Sequence, residues 1–176
     1  MIQTTGFGDA NLFLMNPSGI VFSPAASLNV GGSVIFTTAD YLRLANNAQF
    51  NAVPNATTDA LLSTASVAAY GFLGSNPGTI SVLGSNLTAY ARQGISLIAG
   101  NITLQSGKLA TDRNSPTQLI SSVNQINLAS VASPGEILVR TLDFAPNIHG
   151  QSFGELGTIK VLEGSVIDVS GKGGGT

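Results

Sequence analysis

The chain has 176 residues, a net charge of −2 and no cysteine, and only 9% of its residues are charged. Lysine and arginine occur singly, so the sequence lacks the basic stripe of a nucleic-acid-binding protein, and the lack of cysteine excludes thiol catalysis and thiolate metal sites. A content of 43% apolar residues with 21 glycines favours stacked β-structure over disorder. Apolar runs stay far below the roughly 20 residues that a membrane-spanning helix needs.

The first predicted elements are two short strands joined by a tight turn. Leu12 to Met15 and Ile20 to Phe22 are apolar runs, and Asn16-Pro17-Ser18-Gly19 separates them. Proline presets the backbone at the second position of a turn, glycine suits the fourth, and Asn16 can hydrogen-bond to the backbone ahead of it. This pattern predicts a strand, a rigid corner and a second strand.

The segment from Asp59 to Phe72 is the one stretch with helical character, and Asp59 is a candidate N-cap. Its alanine, serine and threonine content is also typical of tightly packed strands. Elsewhere the sequence consists of short alternating runs bounded by Gly, Asn, Pro and Ser, which indicates strands and turns.

The second half of the chain contains a repeat of glycine, any residue, isoleucine, any residue, then valine or leucine. Copies begin at Gly78, Gly100, Gly135 and Gly157, so the intervals are 22, 35 and 22 residues. The long interval indicates an insertion. We expect regular rungs over residues 78–169, an insertion near 107–134 that includes the polar segment 108–122, and a glycine-rich end over 170–176.

Apolar pairs also recur within one repeat, at steps of 7, 8 and 7 residues: Ile80/Val82, Leu87/Ala89, Ile95/Leu97 and Ile102/Leu104. Three short strands in each 22-residue period predict an all-β chain folded as a parallel β-helix. In that arrangement Ile80 stacks on Ile102, and Ile137 stacks on Ile159. Residues 1–176 then form a single elongated unit.

The segment from Asn11 to Leu42 resembles the haemagglutination-activity, or two-partner-secretion, N-terminal domain of filamentous-haemagglutinin-like exoproteins. The family's hallmark elements are present as Asn16-Pro17-Ser18-Gly19-Ile20, Phe22, Val30-Gly31-Gly32 and Phe36-Thr37-Thr38-Ala39-Asp40. Ser18 departs from the family's usual second asparagine, a mild change because serine also makes local turn hydrogen bonds.

The resemblance implies a right-handed parallel β-helix in a secreted bacterial exoprotein of the adhesin type. It also implies recognition by the periplasmic domains of a cognate outer-membrane β-barrel transporter, passage through the periplasm, and folding outside the cell from this segment as a nucleus. Host or neighbouring-cell ligands would bind the full-length exoprotein. The family's signal peptide and capping region do not precede Met1, so we expect an amino-terminal truncation whose exposed strand edges favour self-association.

The same resemblance assigns the candidate site. Asn16 to Ile20 form a turn that is either recognised by the transporter or needed only as a structural corner, and the residues alone leave both readings open. The remaining signature residues are Phe22, Val30, Gly31, Gly32, Thr37 and Thr38.

We expect no enzymatic activity, no cofactor and no metal site. The nine acidic residues are widely spaced and form no ladder at the repeat interval, and His149, the sole histidine, lies in a predicted loop. The Gly171 to Gly175 tail lacks the spacing of a phosphate-binding loop. The alternative function is a carbohydrate-binding or carbohydrate-active β-helix, against which 6% aromatic residues and no tryptophan count.

Overall fold

The computed structural model describes residues 1–4, 6, 8, 10–55, 57, 59, 63–89, 93–108, 114–121, 125–139, 146–147 and 153–170. Within these residues the secondary structure consists of twenty strands, which are in chain order β1 (Ile2–Gln3), β2 (Leu12–Met15), β3 (Ile20–Phe22), β4 (Leu28–Asn29), β5 (Val34–Thr37), β6 (Tyr41–Leu44), β7 (Gln49–Asn51), β8 (Val67–Phe72), β9 (Thr79–Leu83), β10 (Asn86–Ala89), β11 (Ile95–Ala99), β12 (Asn101–Gln105), β13 (Gly107–Lys108), β14 (Asn114–Ser115), β15 (Thr117–Ser121), β16 (Ile126–Ser130), β17 (Gly135–Val139), β18 (Pro146–Asn147), β19 (Ile159–Val161) and β20 (Ser165–Asp168).

Three parallel sheets form the body of the protein. The first face consists of β2, β5, β11 and β16, the second of β3, β9, β12 and β19, and the third of β10, β15 and β20. The chain visits these faces in the same order on each pass, and β4 continues the third face through a parallel bridge between Ser27 and Asn86. The fold is therefore all-β and β-helix-like, and we call one pass through the three faces a rung.

The register of the parallel strands confirms the predicted stacking of Ile80 on Ile102. Leu12 and Val34, partners on the first face, have the same separation along the chain as Ile80 and Ile102. Other partners are much farther apart in sequence, since Ile20 pairs with Ile80 and Ile102 pairs with Ile159. The chain leaves the rungs between these partners and returns to the next strand of the same face.

The predicted stacking of Ile137 on Ile159 is wrong. Ile159 pairs with Ile102, whereas β17 pairs antiparallel with β8 and places Ile137 opposite Tyr70. The copy of the repeat at Gly135 is therefore not part of a rung. Alternating apolar residues after a glycine are typical of any half-buried strand, so the pattern did not identify the sheet that the strand joins.

An antiparallel sheet lies outside the rungs in the strand order β18, β17, β8, β6, β7. We call it the extra sheet. Its strands come from two excursions, one between β5 and β9 and the other between β16 and β19. Both excursions leave from the first face and return to the second, so they start and end at the same corner.

Two hydrophobic cores follow from this arrangement. The core inside the rungs contains one set of alternate residues of the first face, among them Val34, Phe36 and Leu97. The core between the first face and the extra sheet contains the other set, including Ile35 and Ile98, packed with Tyr70 and Ile137. Because both of their faces are covered, β5 and β11 are buried along their whole length.

Residues 107–134, where the sequence predicts an insertion, contain three kinds of element. β13 and β14 pair as a short antiparallel hairpin, β15 and β16 are strands of the third and first faces, and the second excursion begins after Ser130.

The segment with helical character contains β8 from Val67 to Phe72, which bears out its strand alternative there. His149 and residues 171–176 lie outside the described residues. Among those described, no helix is long and apolar enough to cross a membrane.

Candidate functional site

The turn from Asn16 to Gly19 forms the corner between β2 and β3. The Gly19 N–H donates a hydrogen bond of 3.0 Å to the Asn16 carbonyl, and the Ser18 N–H donates one of 3.1 Å to the Asn16 Oδ1. Gly19 has a φ of +117°, which L side chains rarely adopt. These bonds confirm the predicted turn and the predicted bond from Asn16 to the backbone ahead of it.

The turn lies directly against the corner of the next rung. A Cβ atom placed on Gly19 would be 2.9 Å from the carbonyl oxygen of Thr79, and one placed on Gly78 would collide with the carbonyl oxygen of Pro17. Ile20, which follows the turn, is in register with Ile80. The corner is therefore packed backbone against backbone, and it has no room for side chains at these two glycines.

The turn also presents polar side chains to solvent. Asn16 and Ser18 are exposed, whereas Pro17, Gly19 and Ile20 are partly buried. The Asn16 N–H is held by a 3.0 Å hydrogen bond to the carbonyl of Thr37 on the neighbouring strand. A fixed backbone thus carries two accessible hydrogen-bonding groups, an arrangement that suits both a structural corner and a recognition element.

Thr37 and Thr38 are buried hydroxyl residues at the point where the chain leaves the first face. The Thr38 Oγ1 donates a 2.9 Å hydrogen bond to the Gly78 carbonyl, and the Thr37 Oγ1 accepts a 3.1 Å bond from the Ala39 N–H. Ser130 lies at the same corner two rungs later, and its Oγ donates a 2.6 Å bond to the carbonyl of Gly100 in the preceding rung. The Thr38 and Ser130 hydroxyls thus bind carbonyl groups of the corner glycines.

The other signature residues lie in the interior of the rungs or beside it. Phe22 packs against Phe36 in an edge-on arrangement, with ring centroids 4.7 Å apart, and Val30 is buried in the same core. The Gly31 N–H donates a 3.3 Å hydrogen bond to the Thr4 Oγ1, and Gly32 is buried. These signature residues are held by packing and backbone contacts. Among all the signature residues, only those of the turn have exposed side chains.

A second polar cluster, which the sequence did not reveal, lies on the outer side of the extra sheet. Tyr41 and Glu136 both lie opposite Gly71, on the two strands that flank β8. The Tyr41 Oη donates to the Glu136 Oε1 at 2.9 Å, and the Arg43 Nη2 lies 2.8 Å from the Glu136 Oε2. The only sequence signal is the alternation of polar and leucine residues over Tyr41–Leu44, which indicates a strand but does not identify its partner.

The electrostatics of this cluster follow from its contacts. The hydrogen bonds from Arg43 lower the pKa of Glu136 below its ordinary value, although partial burial opposes that change. Burial raises the pKa of Tyr41 to about 12, with a further contribution from its hydrogen bond to Glu136. At neutral pH the cluster therefore contains a carboxylate, a guanidinium and a neutral phenol.

Two shallow grooves are also lined by polar side chains. One, of about 350 Å³, lies on the second face and is lined by Thr79, Asn101, Thr103, Thr158 and Lys160. The other, of about 340 Å³, is lined by Ser106, Pro116, Glu163 and Gly164. Each contains one charged group, and within the described part of the chain no three His, Cys, Asp or Glu side chains cluster as they would around a metal ion.

Comparison with known proteins agrees with the resemblance seen in the signature segment. The family model described as "TPS secretion domain", for two-partner secretion, matches residues 2–176. No curated protein and no solved structure gives a significant match. The chain therefore belongs to the TPS secretion domain family, the secretion modules of proteins that are exported through the outer membrane with a cognate transporter.

Proposed function

We propose that this chain is the transport-recognition and folding-nucleus module of a large, filamentous-haemagglutinin-like adhesin at the bacterial cell surface. The observation that carries the proposal is the turn from Asn16 to Gly19. Its Asn16 and Ser18 side chains are exposed, and the next rung packs against its backbone. The periplasmic domains of an outer-membrane β-barrel transporter would bind the segment first, and the same residues would then begin the stack of rungs.

The proposed mechanism has two steps. The unfolded segment from Asn11 to Leu42 adds extended strands to the sheets of the transporter's periplasmic domains, as β-augmentation allows. Outside the cell, the first rung forms around the turn, and each later rung covers the open edge of the one before it. Because every added rung buries further apolar residues such as Ile80 and Ile102, return of the chain through the transporter becomes unfavourable.

The proposed stack is a right-handed coil whose period equals the shorter interval between copies of the sequence repeat. The two excursions and the β13–β14 hairpin are insertions that lengthen individual rungs beyond this period. The pairing of Leu12 with Val34 and of Ile80 with Ile102 supports the period, because each pair is separated by that interval. The handedness is supported by the general preference of parallel strands for right-handed crossover connections.

The proposed module has no catalytic role. The salt-bridged cluster of Glu136 and the two grooves with one charged group each are a poor basis for paired acid and base chemistry. Ligands on host or neighbouring cells would be bound by the full-length exoprotein.

We include self-association in the proposal, through apolar residues that are exposed along β19 and β20. Ile159 and Ile167 continue interior columns of the stack, in register with Ile102 and Leu119, but each is 41% exposed. A second copy of the chain could cover this surface. Sedimentation velocity should then show a concentration-dependent dimer that Ile159→Lys abolishes, and a monomer at all concentrations would contradict this part of the proposal.

A secretion assay tests the central proposal. The chain is placed behind a signal peptide and co-expressed with its transporter. The extracellular amount is compared for the wild type, Asn16→Ala and the control Asn86→Ala, which alters an exposed asparagine of β10 on the third face. We expect Asn16→Ala to lower export although the purified variant still folds. Loss of export together with folding would make the turn only a corner, and export without the transporter would contradict the proposal.

The second candidate function is carbohydrate binding, which the groove on the second face favours because hydroxyl, amide and ammonium groups line it. Isothermal titration with a neutral and an acidic oligosaccharide tests it. Saturable binding that Thr103→Val weakens would support this function, and the absence of heat with both sugars would exclude these ligands.

A further inference from the structure

The extra sheet is assembled from parts of the chain that are far apart in sequence. β6, β7 and β8 belong to the first excursion, and β17 belongs to the second. β17 joins the sheet by pairing with β8, where Glu136 lies opposite Gly71 and Ile137 lies opposite Tyr70. The sheet that covers the first face therefore remains incomplete until β17 is in place.

Tyr41, Arg43 and Glu136 connect the two excursions, and we call these three residues the latch. The Arg43 Nε donates to the Glu136 Oε2 at 2.9 Å and to its Oε1 at 3.1 Å, in addition to the contacts of Nη2 and of the Tyr41 hydroxyl. Two strands on opposite sides of β8 are thus joined by side chains.

Gly71 makes this reach across β8 geometrically feasible. A Cβ atom at Gly71 would collide with the aromatic ring of Tyr41, so the ring lies where a side chain of β8 would otherwise stand. The glycine leaves a gap on the outer side of the sheet, and the side chains of the two flanking strands meet in that gap. The latch therefore depends on Gly71 of β8 as well as on the side chains of β6 and β17.

The latch contacts connect residues 93 and 95 positions apart. In contrast, β6 and β8 lie in the same excursion. Their paired residues, such as Tyr41 and Gly71, are much closer together in sequence. Contacts between distant parts of a chain carry a larger loop-closure cost and form more slowly than local ones.

We infer that the latch closes after the rate-limiting step of folding and that it acts by slowing unfolding. Its role is to retain the folded module once β17 has docked, and it does not contribute to the nucleus that starts the stack. The statement about order concerns the chain alone. The role in retention outside the cell rests on the proposed function.

Folding and unfolding kinetics of the purified full chain test the order. The wild type, Glu136→Gln and the control Glu155→Gln, which changes an exposed glutamate, are compared over a range of urea concentrations. An interaction absent from the transition state affects the unfolding rate alone. We expect the unfolding rate of Glu136→Gln to rise about tenfold, since a hydrogen-bonded charge pair is lost, while the folding rate changes less than about twofold.

A slower folding rate of Glu136→Gln with an unchanged unfolding rate would overturn the inference. An equal rise in the unfolding rate of Glu155→Gln, or no rise in that of Glu136→Gln, would overturn it as well. If Glu136→Gln does not fold, Tyr41→Phe replaces it, because this variant removes one hydrogen bond of the latch and retains the ion pair. Its unfolding rate should rise by a smaller factor with the folding rate again unchanged, and the opposite pattern would overturn the inference.

A protease assay on exported chains tests the role in retention. Glu136→Gln should be exported in the wild-type amount and then be digested faster in the medium. Export without the transporter would contradict the proposed function but leave the kinetic result intact. Wild-type resistance to digestion would overturn the retention role even if export depends on the transporter.

Discussion

The hydroxyl of Thr38 donates a 2.9 Å hydrogen bond to the carbonyl of Gly78, and this bond joins the first and last residues of the excursion between β5 and β9. Because the two ends are fixed to each other, β6, β7 and β8 can form without disturbing the register of β5 or β9. The corner is therefore closed by side-chain chemistry as well as by packing.

Replacing Thr38 with valine should lower the free energy of unfolding by about 1 kcal/mol, because the buried hydrogen bond is lost while the volume is retained. Urea denaturation provides the measurement. The matched control is Thr88→Val, whose hydroxyl bonds to the side chain of Asn86 at the surface, and this change should have an effect below about 0.5 kcal/mol. Equal effects of the two changes would argue against a special role of the corner bond.

Replacing Gly78 with alanine should be more damaging. The added Cβ would collide with the backbone of the turn at Pro17, and relief of that collision requires either the turn or the next rung to move. We expect a loss of about 2 kcal/mol or more in the free energy of unfolding. Gly74→Ala is the control, because its Cβ would meet nothing closer than 3.9 Å. A small effect of Gly78→Ala would indicate that the corner is looser than the structure shows.

The contribution of Glu136 to stability should depend on pH. Arg43 lowers the pKa of Glu136 below its ordinary value of 4.5, so the unfolded state binds the proton more readily than the folded state does. The stabilising contribution is therefore present above about pH 4.5 and is lost as the pH falls through the lower pKa of the folded state. The difference in unfolding free energy between the wild type and Glu136→Gln should narrow between pH 7 and pH 3 in urea titrations. A constant difference would contradict this assignment.

The two tyrosines of the extra sheet should respond oppositely to loss of the hydroxyl. The Tyr70 Oη is buried and has no hydrogen-bond partner among the described residues, so Tyr70→Phe should raise the unfolding free energy by about 1 kcal/mol. Tyr41 donates to Glu136, so Tyr41→Phe should lower it. Thermal denaturation of both variants gives the comparison, and destabilisation by Tyr70→Phe would reveal a partner for its hydroxyl.

The parts of the fold that could be predicted are those that depend on short-range patterns. The turn at Asn16 could be predicted from the residue types within the turn itself. The stacking of Ile80 on Ile102 could be predicted because no insertion lies between these two copies of the repeat. The position of β17 was not readable, because alternation shows that a strand has one buried face but does not show which strand lies beside it. The latch depends on that missing information, since Glu136 meets Arg43 only when β17 lies beside β8.

One signal for the extra sheet was present in the sequence. Continuous apolar runs are typical of strands covered on both faces, and Val34 to Phe36 is such a run. The structure buries β5 and β11 on both sides, with Ile35 and Ile98 in the core beneath the extra sheet. Continuous burial indicates that a second layer exists, but it does not identify the segment that supplies the layer.

The shared corner of the two excursions has a consequence for sequence variation. Val34 and Ile95 are direct partners although the whole first excursion lies between them in the chain, so the stack accepts a large increase in length at this corner without a shift of register. Insertions and deletions among related chains should therefore concentrate between the first and second faces. The strands on either side should keep a constant length, because a change of one residue there would exchange the buried and exposed sides of every later residue in the strand.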